Sequence, residues 1–194
     1  MEPGWFWAIF VNFLFKSGVR RREITLIRWP DLDRQGGIVA LKAERTKTKT
    51  ERHIPLTPDV LSDLKLLKAK TIKAAGLKYL LDGQVFNATL FHDGYYVEEI
   101  GIDQVSNFFK KLSKELTAKH EEHDVRQIRI SSHRLRHSMA TILAPQGDIR
   151  ALQDSLGHTD VRMTLEYVES NIEAQKTLLA NLPQIRPSSG KNSL

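Results

Sequence analysis

Cysteine is absent from the 194 residues, which excludes a disulfide scaffold, a thiolate zinc site and a cysteine nucleophile. No apolar run reaches the ~20 residues needed to cross a bilayer. The stretch from Trp5 to Phe15 (WFWAIFVNFLF) is 11 residues long and is interrupted by Asn12. No basic segment precedes it and no small-residue cleavage site follows it, so it reads as a buried helix. A membrane-surface anchor is the lesser alternative, since its polar face would hold little but Asn12. There is no Walker-type glycine loop, and no clustered carboxylates suggest a two-metal site. His120 and His123 are spaced like a metal pair but lack an evident third ligand, so no metal and no cofactor are expected. What remains is globular: 41% hydrophobic and 27% charged residues allow one domain with a real core.

Charge of one sign is concentrated. The formal net charge is +6. Between Lys16 and Arg52 eleven basic residues face five acids, so that block holds the whole excess and the rest of the chain balances. A block of this kind suggests a polyanion-facing surface, although alone it is better explained by a solvated face.

The apolar run predicts a helix ending near Ser17-Gly18. Arg20 to Arg28 reads as a second short helix, broken at Trp29-Pro30-Asp31. Ile38 to Leu41 and Arg52 to Leu56 read as strands of a small antiparallel sheet, joined by the lysine-rich stretch from Lys42 to Glu51. Helices follow over Pro58 to Ala75 and Ile102 to Lys119, separated by a loop from Asp82 to Gly101 that Phe86 and Phe91 anchor. Beyond an exposed connection from His120 to Arg129, Ser131-Ser132, Asp148 and Asp160 can cap helices over His133 to Leu143, Ile149 to Leu156 and Val161 to about Glu169. A last helix spans roughly Asn171 to Leu182. Residues 183–194, rich in proline, serine, asparagine and glycine, read as a flexible C-terminal tail.

His133, Arg136 and His137 stand at i, i+3 and i+4 and share one helix face, while Leu135, Met139 and Ile142 mark another that can enter the core. A guanidinium between two imidazoles fits a phosphate oxygen. Leu156-Gly157-His158 follows, and Tyr167 lies nine residues beyond His158. Any one of these alone has a simpler explanation in packing or surface polarity.

Together, Gly18-Val19-Arg20-x-x-Glu23, Lys47-x-x-x-x-Arg52-x-Ile54-Pro55-Leu56, His133-x-x-Arg136-His137, Leu156-Gly157-His158 and Thr164-x-x-Tyr167 resemble the catalytic domain of tyrosine recombinases, the phage-integrase family, from about Phe6 to Asn181. The resemblance implies a mixed α+β fold, mainly α-helical with a small antiparallel sheet, over residues 1–182, without the N-terminal core-binding domain usual in the family. It implies site-specific cutting and rejoining of DNA through a 3′-phosphotyrosyl intermediate. Arg20 and Arg136 would clamp the scissile phosphate, Tyr167 would be the nucleophile, and Lys47 the general acid, with Lys49 as its competitor. His133 would act as acid/base and His158 would bond a non-bridging oxygen. Glu23 and His137 would orient these groups, and Arg21, Arg22, Lys49, Arg52 and Arg134 would contact DNA. The implied partners are double-stranded DNA and three further copies of the chain, assembled through the C-terminal helix. The implied setting is the bacterial or phage-derived cytoplasm at the nucleoid. Alternatives are relaxation of the type IB topoisomerase kind, or a non-catalytic DNA-binding remnant. Pro145 departs from the family pattern, since it stands where a helix usually continues.

Overall fold

The computed structural model describes residues 3–33, 35–45, 51–119, 127–146, 148–157, 160–165 and 167. Helix α1, Gly4–Ser17, is apolar nearly all round because it packs between α3, Pro58–Ala75, and α5, Ser132–Leu143. Phe6, Phe10, Phe13 and Leu14 are fully buried in it. Asn12, the polar break in the apolar run, donates to Asp63 Oδ2 of α3 at 2.8 Å. Gly18 ends the helix in the left-handed conformation, φ 61°, and its N–H donates to the Leu14 carbonyl, a glycine cap of the kind the sequence signals.

Helix α2, Arg21–Ile24, is a single turn, shorter than the helix read from Arg20 to Arg28. The reason is tertiary. The N–H of Val85 bonds to the Ile27 carbonyl, and the N–H of Trp29 to the Gly83 carbonyl. The backbone that would have continued the helix is thus committed to the 83–85 segment. A 3₁₀ turn at Trp29–Asp31 then feeds a strand that the sequence did not signal, β1, Leu32–Asp33. It pairs with β2, Ile38–Leu41, and β2 pairs with β3, Arg52–Pro55, in an antiparallel sheet of order β1-β2-β3. Two residues are too few to show an alternating pattern. The register sets Leu41 opposite Arg52, and Val39, Leu41 and Ile54 turn inward.

The loop from 82 to 101 is held by buried polar side chains rather than by ladders. Gln84 donates to the carbonyls of Thr25 and Ile100 and accepts from the Ile100 N–H, while Asn87 donates to the carbonyls of Val97 and Glu98. These bonds satisfy backbone groups that no secondary structure pairs. Phe86 is fully buried and Phe91 packs on the same core. Helix α4, Ile102–Lys119, closes the core, with Phe108 stacked on Trp7 at 3.8 Å between centroids.

The C-terminal elements form a smaller core that carries the site. Ser131 Oγ caps α5, Asp148 Oδ1 caps α6 (Ile149–Leu156) and Asp160 Oδ1 accepts from the Arg162 N–H at α7 (Arg162–Leu165). Met139, Ala140 and Ala144 of α5 and its end meet Leu152 and Leu156 of α6, with Phe15, Leu143 and Tyr167 packed around them. This face of α5 leaves Ile142, expected in the core, 58% exposed. Pro145 lies in a 3₁₀ turn, Ala144–Gln146, that ends α5, consistent with its missing N–H. Among the described residues no helix is long and apolar enough to cross a membrane.

Candidate active site

Two glycine caps organise the site. After Gly18 the buried Val19 turns the chain, and Arg20 becomes the residue before α2. Glu23, three residues on, accepts the Arg20 backbone N–H on Oε2 at 2.7 Å and the Arg20 Nη1 on Oε1 at 2.9 Å. Glu23 Oε2 also accepts from Arg52 Nη2 at 2.6 Å. One carboxylate, 3% exposed, therefore serves two guanidinium groups.

The second cap is Gly157, at the end of α6 with φ 61°. The last carbonyls of a helix have no partner within it and carry its negative dipole end. Here three arginines take three successive carbonyls: Arg52 Nη1 donates to Ser155 at 2.7 Å, Arg136 Nη2 to Leu156 at 2.5 Å and Arg20 Nη2 to Gly157 at 2.9 Å. Arg136 Nη1 also donates to the Gly18 carbonyl at 2.6 Å. The ties are reciprocal, since each cap holds an arginine from the other half of the chain.

Among the described residues charge in this cluster is unbalanced, because three guanidinium groups stand around a single carboxylate. Burial first, then repulsion from Arg20 and Arg52, pulls the pKa of Arg136 down to about 10, against the attraction of Glu23 and Tyr167. Burial and Arg20 likewise lower Arg52 despite Glu23. Burial alone would push the Glu23 carboxyl up, but Arg52 and the two bonds from Arg20 outweigh it and hold the carboxyl below its ordinary value. Such a cluster is preorganised for an anion.

The cluster opens into a cleft of about 830 Å³ lined by Arg20, Arg21, Arg22, Ser131, Ser132, His133, Arg136, His137 and Tyr167, with Ile102 and Met163. Tyr167 is half-buried, and its N–H donates to the carbonyl of the buried Thr164. The ring of His137 meets the Tyr167 ring edge-on at 4.9 Å, and His137 Nδ1 lies 3.3 Å from Thr141 Oγ1. The structure thus brings Arg20, His133, Arg136, His137 and Tyr167 together around one space, with Glu23 behind them.

Other expected site residues fall differently. Arg21 and Arg22 are exposed at the cleft, and Arg21 Nη1 donates to Ser106 Oγ. Arg134 is exposed on α5 and is not among the residues that line the cleft. Arg52, expected to face DNA, is instead turned inward, with a side chain only 12% exposed. Lys47, Lys49 and His158 lie outside the described residues, as do His120, His123 and the helix expected over Asn171 to Leu182. Among the described residues no cluster of three or more histidine or acidic side chains is placed to hold a metal ion.

Sequence reading missed a groove of about 600 Å³ beside the cleft, which it joins through Arg21, Ser131 and Ser132. Lys110 and Lys114 of α4 and Arg129 line it, with the hydroxyls of Ser113 and Thr117. Residues 110 and 114 are one helical turn apart, but only the fold brings them beside Arg129 and Arg21.

The putative tyrosine recombinase XerC of Pseudomonas aeruginosa is 27% identical over 181 residues, which take in 92% of this chain and 39% of the relative. The protein of the same description from Pseudomonas syringae is 29% identical over 182 residues, 92% of this chain and 36% of the relative. The chain therefore spans well under half the length of these relatives. In fold it is similar to the Tn1549 transposon integrase, solved in complex with a circular intermediate DNA, with a TM-score of 0.68 at 19% identity over 90% of this chain and 58% of that one. A family model described as the phage integrase family matches residues 7–174. With nearly all of its described core inside that match, this chain belongs to the phage integrase family.

Proposed function

We propose that the chain is the catalytic domain of a site-specific tyrosine recombinase, which cuts and rejoins DNA strands through a covalent phosphotyrosyl intermediate. The observation that carries this reading is the under-neutralised arginine cluster at the end of α6, open to a cleft that also holds Tyr167 and His133. A phosphodiester brings the negative charge the cluster lacks. Arg20 and Arg136 keep further N–H groups for its non-bridging oxygens, because a guanidinium has five donors.

In the proposed step the Tyr167 oxygen attacks phosphorus and the bond from phosphorus to the 5′-oxygen breaks. The tyrosine proton passes to a base, for which His133 in the cleft is the candidate. The 5′-oxygen leaves with a proton from Lys47. An ordinary phenol titrates near 10, so attack near neutrality needs the positive field of the two arginines as well as the base. The ester keeps the energy of the broken bond, so the released 5′-hydroxyl can reverse the attack on a new strand without a nucleotide cofactor. Exchange between two duplexes needs four such tyrosines. A tetramer on DNA, joined through the segment expected to be helical over residues 171–182 with Ile172, Leu178, Leu179 and Leu182, is part of the proposal.

The test is a nicked suicide duplex carrying the chain's target site. The expected product is protein linked to the 3′-phosphate, visible as a shifted band under denaturing conditions. A 5′ linkage, or cleavage that leaves no linked protein, would refute the reading. The type IB alternative predicts relaxation of supercoiled plasmid without recombined products.

The groove of Lys110, Lys114 and Arg129 would carry flanking phosphates. Replacing both lysines by alanine is expected to weaken binding of all duplexes alike and to lower the slope of log affinity against log salt by about 0.9 per lost phosphate contact. Fluorescence anisotropy across a salt series reads this directly, and an unchanged slope removes the groove from the DNA path.

A further inference from the structure

We propose that Arg52 is a positioning residue, which holds both groups that fix the guanidinium of Arg20 and so couples the β2–β3 hairpin to the cleft. The proposal rests on the reading of Arg20 as a phosphate clamp. It adds a role for a residue that touches no reacting atom.

Among the described residues Arg20 has two side-chain partners, Glu23 and the Gly157 carbonyl. Arg52 holds each of them. Its Nη2 donates to Glu23 Oε2, the oxygen that also takes the Arg20 backbone N–H. Its Nη1 donates to the Ser155 carbonyl, and its guanidinium lies against the Gly157 Cα so closely that a Cβ there would stand 2.6 Å from Nη1 and 3.0 Å from Cζ. Gly157 is thus demanded twice, by its positive φ and by the seat of Arg52. A planar fork that meets a carboxylate on one side and a helix-end carbonyl on the other is a task for arginine and not for lysine.

The hairpin makes this a coupling. Arg52 begins β3 opposite Leu41 of β2, five residues after Lys47 in the sequence. Docking of β3 through Arg52 and the setting of Arg20 therefore share the Glu23 carboxylate and the end of α6. With the Arg52 bonds in place the arginine clamp is assembled, and without them Arg20 is the one cation among the described residues that hydrogen-bonds the buried Glu23. Charged groups face Glu23 from three elements: Arg20 from the start of α2, Arg52 from β3 and Arg136 from α5, while Asp31 and Lys42 border the small pocket beside it.

The test uses the full 194-residue chain and the variants Arg52→Met and Arg52→Lys, each alone and with Glu23→Gln. Single-turnover cleavage of the suicide duplex by Arg52→Met is expected to fall about a hundredfold, with duplex affinity within threefold of the unsubstituted chain. Glu23 is a carboxylate held low, so its contribution is present above the ordinary carboxyl range and is lost as pH falls through its folded value. Without Arg52, burial raises that value, so the acid limb of the cleavage profile moves upward in pH. In the Glu23→Gln background the same substitution is expected to produce no such movement. Arg52→Lys keeps charge but loses the fork, and is expected to recover part of the rate. It decides the matter if Arg52→Met fails to fold.

A carbon-13 titration of the Glu23 carboxyl reads the same coupling without cleavage, so it separates failure of this proposal from failure of the clamp reading. An upward shift in either Arg52 variant supports the proposal. An unmoved titration overturns it, as does a loss of cleavage matched by an equal loss of duplex affinity, which would return Arg52 to the DNA-contacting surface.

Discussion

Tyr167→Phe is expected to form no covalent protein–DNA adduct, a fall of at least about 10⁵-fold in cleavage, while binding duplex within twofold of the unsubstituted chain. The substitution removes the hydroxyl oxygen and keeps the ring. The ring packs on the small core of Met139, Leu152 and Leu156 and meets His137 edge-on, and the backbone N–H bonds to Thr164. Phenylalanine keeps all of this, so the thermal midpoint is expected to move by no more than a few degrees. The other tyrosines do not offer a replacement. Tyr79 donates its hydroxyl to the Gln84 carbonyl, and burial raises it to about 12. Tyr95 and Tyr96 lie exposed on the 82–101 loop, outside the cleft lining. An adduct that survives in Tyr167→Phe sinks the nucleophile assignment, and mapping the linked peptide would then identify the residue responsible.

Arg136→Met is expected to separate activity from stability. Loss of a preorganised charged donor at a reacting phosphate costs about 10³-fold, and Arg136 is the most deeply buried arginine of the cluster, 6% exposed. Yet the fold carries it at a cost. A pKa lowered from the ordinary guanidinium value to about 10 corresponds to roughly 3 kcal/mol spent on keeping the group charged. For a cation with a depressed pKa that penalty is present in full below about pH 10 and fades only above it, so it applies across the working range. Methionine removes the penalty together with the bonds to the carbonyls of Gly18 and Leu156, each worth about 1.5–3 kcal/mol as a charged hydrogen bond. The two changes oppose each other, and net stability by denaturant titration is expected to fall by no more than about 3 kcal/mol from that of the unsubstituted chain. A collapse of the fold would show that Arg136 is chiefly a structural tie between the two glycine caps. Unimpaired cleavage would remove it from the chemistry.

Much of this site is legible in the chain because its signals are local. Gly18 and Gly157 follow helical runs, and each indeed occupies the left-handed cap that a glycine there predicts. His133, Arg136 and His137 share a face because helical periodicity puts them there, and α3 and α4 begin and end where proline, glycine and the apolar spacing set them. The spacing of Arg20 and Glu23 leads to their pairing across a single turn. The errors have one source. The short extent of α2, the extra strand β1 and the exposed Ile142 all depend on which distant segment lies alongside. Neither the apolar pattern nor propensity carries that information.

Arg52 is the clearest case. In the sequence it belongs to a basic block with no acid adjacent except Glu51, and a surface role is the natural reading. The fold turns it inward, because Glu23 and the bare carbonyls at the end of α6 together make a seat whose members are 29 and 103 residues away in the chain. The sequence by itself determined the helices, their caps, the residue types of the site and the excess of positive charge. Tertiary structure decided which of those charges would be desolvated together. Only the packing of α2, β3 and α5 around one helix end brings three guanidinium groups close enough to repel one another.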